Sequence, residues 1–283
     1  MNTAATFNTI RYESAGEGIA RVVLARPDRA NAQNKEMLYE LDAAFSRAME
    51  DNSVKVVIVS ADGKHFSSGH DLADGTKPTD FQKVTEYGGF DEPSAHGHYA
   101  TEQEIYVGMC WRWRNLPKPT IAQVHGKVIA GGLMLVWPFD IVIASEDATF
   151  SDPTVAFGVN GVEYFTHVWE LGSRKAKELL FTGCSFTAEQ CRELGMINHV
   201  VPREELEAKT LEMAERIAIR PQLGLKLSKE AVNRSLDCQG QWNAIQSAFG
   251  LHHLGHAHQR VEHGIAVDPS GAAIIRADAK AGR

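Results

Sequence analysis

The apolar positions change period along the chain, and each change marks an element. Thr9–Tyr12 and Ile19–Leu24 are β-forming runs separated by Ala15-Gly16-Glu17-Gly18, which predicts a hairpin. Arg26-Pro27-Asp28 ends the second run, since proline has no N–H for a ladder. Over Glu36–Met49 the apolar residues Leu38, Leu41, Phe45 and Ala48 follow the spacing of a helix with one buried face. Val54–Ser60 is a continuous apolar run, which predicts a strand buried on both faces. This β–α–β order implies a parallel strand pair with a crossover helix.

Ala73–His98 breaks the pattern. It mixes Asp, Gly, Thr, Pro and His with few aliphatics, and predicts a mobile surface insertion or lid. Helical spacing resumes at Glu102–Asn115, closed by Pro117 and Pro119. A strand at Thr120–His125, a short apolar helix at Gly131–Trp137 and a strand at Asp140–Ala144 make a second β–α–β unit. A short strand follows at Phe150–Val155, then helices near Val162–Leu171 and Ser173–Phe181. Thr187-Ala188-Glu189-Gln190 fits a capping box, Gly195 a helix C-cap, and Ile197–Val201 the last strand. Everything from Arg203 is helical: Glu204–Arg220, Leu223–Leu236 and Trp242–Arg260, with a weakly ordered end at Asp268–Arg283. The fold class is therefore α/β, with a core over 1–202 and a helical segment over 203–283 that covers a neighbour or builds an oligomer. The stripes Leu223, Leu227, Ala231 and Trp242, Ile245, Phe249 need such a cover.

Two strand-to-helix turns carry the chemistry. Phe66-Ser67-Ser68-Gly69-His70-Asp71-Leu72 and Ile129-Ala130-Gly131-Gly132-Leu133 each expose backbone N–H groups where a helix dipole is positive. Brought together, two such turns can hold one developing oxyanion without a metal.

Composition narrows the partners. The net charge of −7 argues against nucleic acid, whose binding rests on a basic surface, but leaves room for an anionic small ligand. No stretch approaches the length of a membrane span, and Met1–Thr6 lacks the basic and apolar parts of a signal peptide. Cys110, Cys184, Cys191 and Cys238 show no CxxC spacing, so reduced, mostly buried thiols in a cytoplasmic protein are expected.

The order of these pieces resembles the crotonase, or enoyl-CoA hydratase/isomerase, superfamily. The resemblance is carried by Arg26-Pro27-Asp28-Arg29-Ala30-Asn31-Ala32, the two glycine turns, Lys118-Pro119-Thr120-Ile121-Ala122 running into His125-Gly126, Asp140-Ile141-Val142-Ile143-Ala144, and Leu194-Gly195-Met196-Ile197-Asn198-His199-Val200-Val201-Pro202. It covers roughly residues 9–235. It implies a spiral of β–β–α turns forming two near-perpendicular sheets, with C-terminal helices that mediate homotrimers or dimers of trimers. It also implies an acyl-CoA thioester substrate, no separate cofactor, and no metal. The oxyanion donors would be the N–H groups of His70 and Gly131, and the CoA pocket would be lined by Arg29, Ala30, Ser68, His70, Asp71, Leu72 and Gly131. A capping role for Asp71 is compatible with this.

The chain departs from the family at the acids. The two glutamates that position water in hydratases correspond to Met134 and Thr154, and neither can do carboxylate work. Glu163 is then the nearest candidate acid or base, with Asp152 and His167 as further ones. Its competing reading is an exposed first-turn acid complementing a helix dipole. The expected chemistry is proton shuttling or double-bond isomerisation through a thioester enolate. The alternatives are hydration by a substitute acid, or an acyl-CoA-binding protein without turnover.

His252, His253, His256, His258 and His263 cluster near the C-terminus, with His252 and His256 four residues apart. No glutamate lies between those two, and a solvated or inter-subunit helix face is expected rather than a metal site. A serine hydrolase built on Ser67 or Ser68 lacks a positioned base.

Overall fold

A computed structural model describes residues 7–85 and 87–281. Met1–Thr6, on which the signal-peptide reading rests, lies outside the described residues, as does the end of the Asp268–Arg283 segment.

The predicted hairpin is β1 (Ile10–Gly16) and β2 (Ile19–Leu24), antiparallel, with an irregularity between Ser14 and Gly16. Helix α1 (Lys35–Glu50) crosses over to β3 (Val56–Ala61), which runs parallel to β2. Asn34 caps α1 by accepting from the Met37 N–H (3.1 Å). Lys118 closes the other end, donating to the carbonyls of Ala48 and Asp51 (both 2.7 Å).

The continuous apolar run of β3 is explained by two separate cores. Val57 and Val59 pack with Leu38, Leu41 and Phe45 of α1. Val56 and Ile58 face the other way, onto Leu206, Ala214 and Ala218 of α6 (Leu206–Ala218). The strands β4 (Thr120–Val124), β6 (Ile141–Ser145) and β9 (His199–Val201) extend this sheet in parallel, in the order β1-β2-β3-β4-β6-β9. A second sheet holds β5 (Lys127–Ile129), β7 (Thr149–Ser151) and β8 (Ser185–Thr187). The Thr187 capping box opens α5 (Ala188–Glu193) as the sequence predicts.

Several elements differ from expectation. Gly131–Trp137 is not an α-helix but a 3-10 turn over Ala130–Leu135. The strand expected to Val155 stops at Ser151, because the Asp152 side chain turns back to bind Thr154. Helix α4 (His167–Thr182) begins four residues after Glu163, later than expected, but it is broken at the non-helical Gly172 (φ 71°), where the sequence places the boundary between two helices. Residues 94–114 form one helical run: α2 (Ser94–Glu102), a π-helical turn (Gln103–Gly108) and α3 (Met109–Arg114). The predicted insertion is thus helical at its end.

The insertion is also tied down. The Glu104 carboxylate accepts from the N–H groups of Val84 (2.8 Å) and Thr85 (3.1 Å), and Asp74 accepts from the Lys35 N–H (2.9 Å). The Asp74 carboxyl sits near 2. Burial alone would raise it, but hydrogen bonds from Lys35 and Thr76 outweigh that.

At the C-terminus, α7 (Gln222–Cys238) has no buried residue, whereas α8 (Gln241–His263) buries Ile245 and Phe249 within its own chain. So the second stripe already has its cover, and α6 covers its own sheet rather than a neighbour. The segment expected to be weakly ordered contains α9 (Gly271–Lys280), packed on Ala156 and Phe157. Cys110 and Cys191 are buried thiols, Cys184 is half-buried and Cys238 exposed. No described helix is long and apolar enough to cross a membrane.

Candidate active site

The two glycine turns meet. A Cβ placed on Gly69 would fall 2.7 Å from the Ile129 carbonyl oxygen and 3.2 Å from the Gly131 nitrogen, and the backbone there has φ +92°. Only glycine allows that approach and that conformation. Gln33 joins the turns: its side-chain amide donates to the Gly131 carbonyl, its N–H to Gly69 O (2.8 Å), and its carbonyl accepts from the Asp71 N–H (2.9 Å). This parallel bridge uses the groups either side of His70 and leaves the His70 N–H unpaired among the described residues. The Gly131 N–H precedes the first intrahelical donor of its 3-10 turn and is likewise unpaired among them. Two free donors therefore stand at adjoining turns.

Around them lie the other residues of the resemblance. Ser68 donates its N–H to Ala30 O (2.9 Å), which docks the Arg26–Ala32 loop on the first turn. Ala30 itself is left-handed (φ 48°), and Arg29 is largely exposed. Asp71 caps no helix, since none follows it. It pairs with Arg26 (2.8 Å) and accepts from the Ala73 N–H (3.1 Å). Leu72 is 86% exposed, an apolar side chain left in solvent beside the site.

The His70 ring lies over Gly131 and stacks on Tyr106, with centroids 4.0 Å apart and planes within 7°. Burial lowers it to about 4, so the ring is neutral at physiological pH. Its Nε2 is 3.6 Å from Oε2 of Glu163. Glu163 is 3% exposed and sits on the loop before α4, so it is not a first-turn surface acid. Burial, reinforced by the negative charge of Glu102, holds its carboxyl well above the usual carboxylate range. A buried carboxyl with a raised pKa beside two free N–H donors can move a proton at the carbon next to a polarised carbonyl.

Met134 is buried, and its sulfur receives the Tyr164 N–H (3.4 Å). The Thr154 hydroxyl is committed to Asp152 (2.5 Å). Asp152 and His167 are fully buried and paired to each other (2.7 Å), and Asp152 also takes the Val162 N–H (3.0 Å). Burial would raise the Asp152 carboxyl, but hydrogen bonds from His167 and Thr154 hold it below its ordinary value. This pair braces the loop that carries Glu163 and does not reach the donors.

Sequence reasoning missed Glu102 and misplaced the histidines. His252 and His256 are buried, not solvated, and face Glu102. His252 Nε2 lies 3.5 Å from Oε1 of Glu163. His258 and His263 are exposed, as expected of a solvated face. The signals were the spacings His98–Glu102 and His252–His256, each one helical turn.

Comparison with known proteins gives the family. The enoyl-CoA hydratase/isomerase family model matches residues 14–267. A Mycobacterium tuberculosis protein named as an enoyl-CoA hydratase, EchA13, is 44% identical over 264 residues, covering 89% of this chain and 82% of the relative. The crystal structure of a probable enoyl-CoA hydratase from Mycobacterium smegmatis is 48% identical with a TM-score of 0.83, covering 92% of this chain and 99% of that one. An enoyl-CoA hydratase/isomerase from Xanthobacter autotrophicus Py2 is 34% identical with a TM-score of 0.76, covering 98% and 95%. The chain belongs to the enoyl-CoA hydratase/isomerase family of the crotonase superfamily.

Proposed function

We propose that this chain binds an acyl-CoA thioester with its carbonyl oxygen between the N–H groups of His70 and Gly131, and that Glu163 transfers the proton. The reading is carried by one observation: a buried carboxyl stands 3.6 Å from the His70 ring, which itself lies over Gly131. Enolate charge developing on the thioester oxygen would meet two donors that need no reorganisation. The reaction class is proton shuttling, of the kind that moves a double bond. Hydration by paired carboxylates is disfavoured, because Met134 and Thr154 stand in their places and the Thr154 hydroxyl is already bound to Asp152. The CoA moiety would lie along Arg29, Ala30, Ser68, Asp71 and Leu72, where the exposed Leu72 offers an apolar face and Arg29 a charge for phosphate. No separate cofactor takes part in this step. The working form is a homotrimer or a pair of trimers, supported by the uncovered α7.

The test is hydrogen–deuterium exchange at the α-carbon of a bound acyl-CoA in D2O. Exchange that disappears in Glu163→Gln with binding retained supports the proposal. Binding without exchange in the native protein would mean an acyl-CoA-binding protein without turnover.

A further inference from the structure

Four side chains from two helices, Glu102 on α2 and His252, His253 and His256 on α8, converge beside Glu163 with their polar atoms facing one another. On α8, His252 gives its Nδ1–H to the Gly161 carbonyl (2.8 Å) and His256 gives its Nδ1–H to the Ala266 carbonyl. Both Nε2 lone pairs are thereby aimed inward, 3.9 and 3.7 Å from the same oxygen, Oε2 of Glu102 on α2. Glu102 is fixed in turn. Arg260 donates to Nδ1 of His98 (2.7 Å), so the His98 Nε2–H points at the other Glu102 oxygen (2.8 Å). The inner atoms, Glu102 Oε2, His252 Nε2 and His256 Nε2, are all buried and without hydrogen-bond partners among the described residues. His253 Nε2 approaches the same oxygen at 3.0 Å.

An Nε2–H of His253 can satisfy the shared Glu102 oxygen, but the two imidazole lone pairs of His252 and His256 stay buried without a donor, which is unfavourable unless a positive centre lies between them. Each imidazole is held by a backbone carbonyl at its far nitrogen, which is how metal-ligating histidines are oriented. Tetrahedral zinc, with bonds of about 2.0–2.1 Å, places its ligand atoms roughly 3.3 Å apart. Closing the two observed separations to that value takes shifts of only ~0.4–0.6 Å.

We infer that Glu102, His252 and His256 form a binding site for a divalent first-row transition cation of the zinc type, with His253 as a further ligand within reach. The imidazole and carboxylate donors suit zinc, cobalt or nickel rather than calcium or magnesium. The cation joins α2, the end of the insertion, to α8, and so fastens the cover of the site beside Glu163. This departs from the metal-free expectation drawn from the sequence. It does not depend on the proposed reaction, because binding is measured without substrate.

The experiment uses the full-length protein, stripped with a chelator and dialysed at neutral pH. It is titrated with Co2+, followed by visible absorption, and with Zn2+, followed by calorimetry. The expected result is one equivalent per chain, a d–d spectrum of low-symmetry cobalt, and a melting temperature raised by about 5 °C at a hundredfold excess over Kd. His256→Gln and Glu102→Gln should each weaken binding at least ~10-fold, the loss seen even for outer-shell changes. His258→Gln, an exposed change on the same helix, should leave it unaltered. The native protein needs no variant to decide the matter: absence of stoichiometric uptake of both ions, as when a shared proton fills the gap, overturns the inference. So does uptake that His258→Gln abolishes and His256→Gln leaves intact.

Discussion

Nε2 of His70 stands 3.6 Å from Oε2 of Glu163, although the two residues belong to segments on opposite sides of the second glycine turn. The ring comes from the first turn and the carboxylate from the loop before α4. The carboxylate is thereby brought beside the ring of the residue whose backbone N–H is one of the two donors of the proposed mechanism. Glu163→Gln preserves shape and removes the proton-transferring group. Thioester affinity should stay within a few-fold while exchange or turnover falls at least ~100-fold, the low end for general acid–base removal. Unchanged turnover in this variant would reassign the proton transfer to another group.

The same His70 ring makes stability depend on pH. Folded, it titrates near 4, against an ordinary 6.5, because burial disfavours the charged imidazole. Between those pH values the unfolded chain binds one more proton than the folded chain. Stability contributed by the neutral ring is therefore present above 6.5 and is lost as pH falls through the window. The limit is ~1.4 kcal/mol per pH unit, and the 22% exposure of the side chain brings it to about 1. Urea melts from pH 4.5 to 7.5 should fall more steeply on acidification for the native chain than for His70→Gln. Parallel curves would show that the ring is solvated.

Gly131 has no room for a side chain. A Cβ there would fall 2.3 Å from Cδ2 of His70, and Tyr106 stacks on that ring, so it has no free path to retreat. Gly131→Ala should therefore displace the donors from one another, in a variant whose folding is checked by circular dichroism. Turnover should fall about 10²–10³-fold, comparable to losing one oxyanion donor. An alanine variant with native turnover would remove Gly131 from the mechanism.

Much of this was legible in the chain, for local reasons. The run Val54–Ser60 announces burial on both faces, and two cores meet it there. Gly69 and Gly131 announce close backbone approach, and the turns do touch. What the chain hid depends on distant packing. Nothing near Glu163 in sequence says that α8 will bring His252 to 3.5 Å of it. Nothing in the helical spacing of Glu102 tells a solvated carboxylate from one walled in by four histidines. Histidine is polar enough to read as surface until a partner helix covers it, so the cluster was misread where its sequence spacing was clearest. Element ends failed for a different reason: Asp152 and Asp71 spend their carboxylates on turns that compete with regular structure.

Crotonyl-CoA should be a poor substrate for hydration. Met134 is buried with its sulfur against the Tyr164 N–H, and Thr154 is tied to Asp152, so in the proposed reading neither position offers a carboxylate to orient water. Each positioned acid–base group is worth roughly 10²–10⁴-fold, and the loss of both should be plain in the rate. Loss of the crotonyl absorbance at the rate of a dedicated hydratase would show that Glu163 or another group has taken over that work.

Helix α7 should form the subunit interface. It is a 17-residue helix with no buried residue, and Leu223 and Leu227, one turn apart, are 66% and 54% exposed. Its inner side is held by polar contacts, Lys229 to Asp140 (2.8 Å) and Asn233 to the Arg114 carbonyl (3.1 Å), rather than by apolar packing. A cavity of about 500 Å3 separates it from the sheet, lined by Leu225, Val232 and Leu236 on the helix and Asp140 and Ile141 on the body. A helix of this kind is held mainly by packing rather than by its own propensity, so an apolar outer stripe left bare implies a partner. Neither α6 nor α8 supplies it, because each spends its apolar face within the chain. Mass measurement at sub-micromolar concentration should give trimers or hexamers. Leu223→Glu with Leu227→Glu should shift the population to monomer, since both charges would be buried unpaired in the interface. A native protein that is monomeric under those conditions would leave α7 uncovered and remove the case for a trimer.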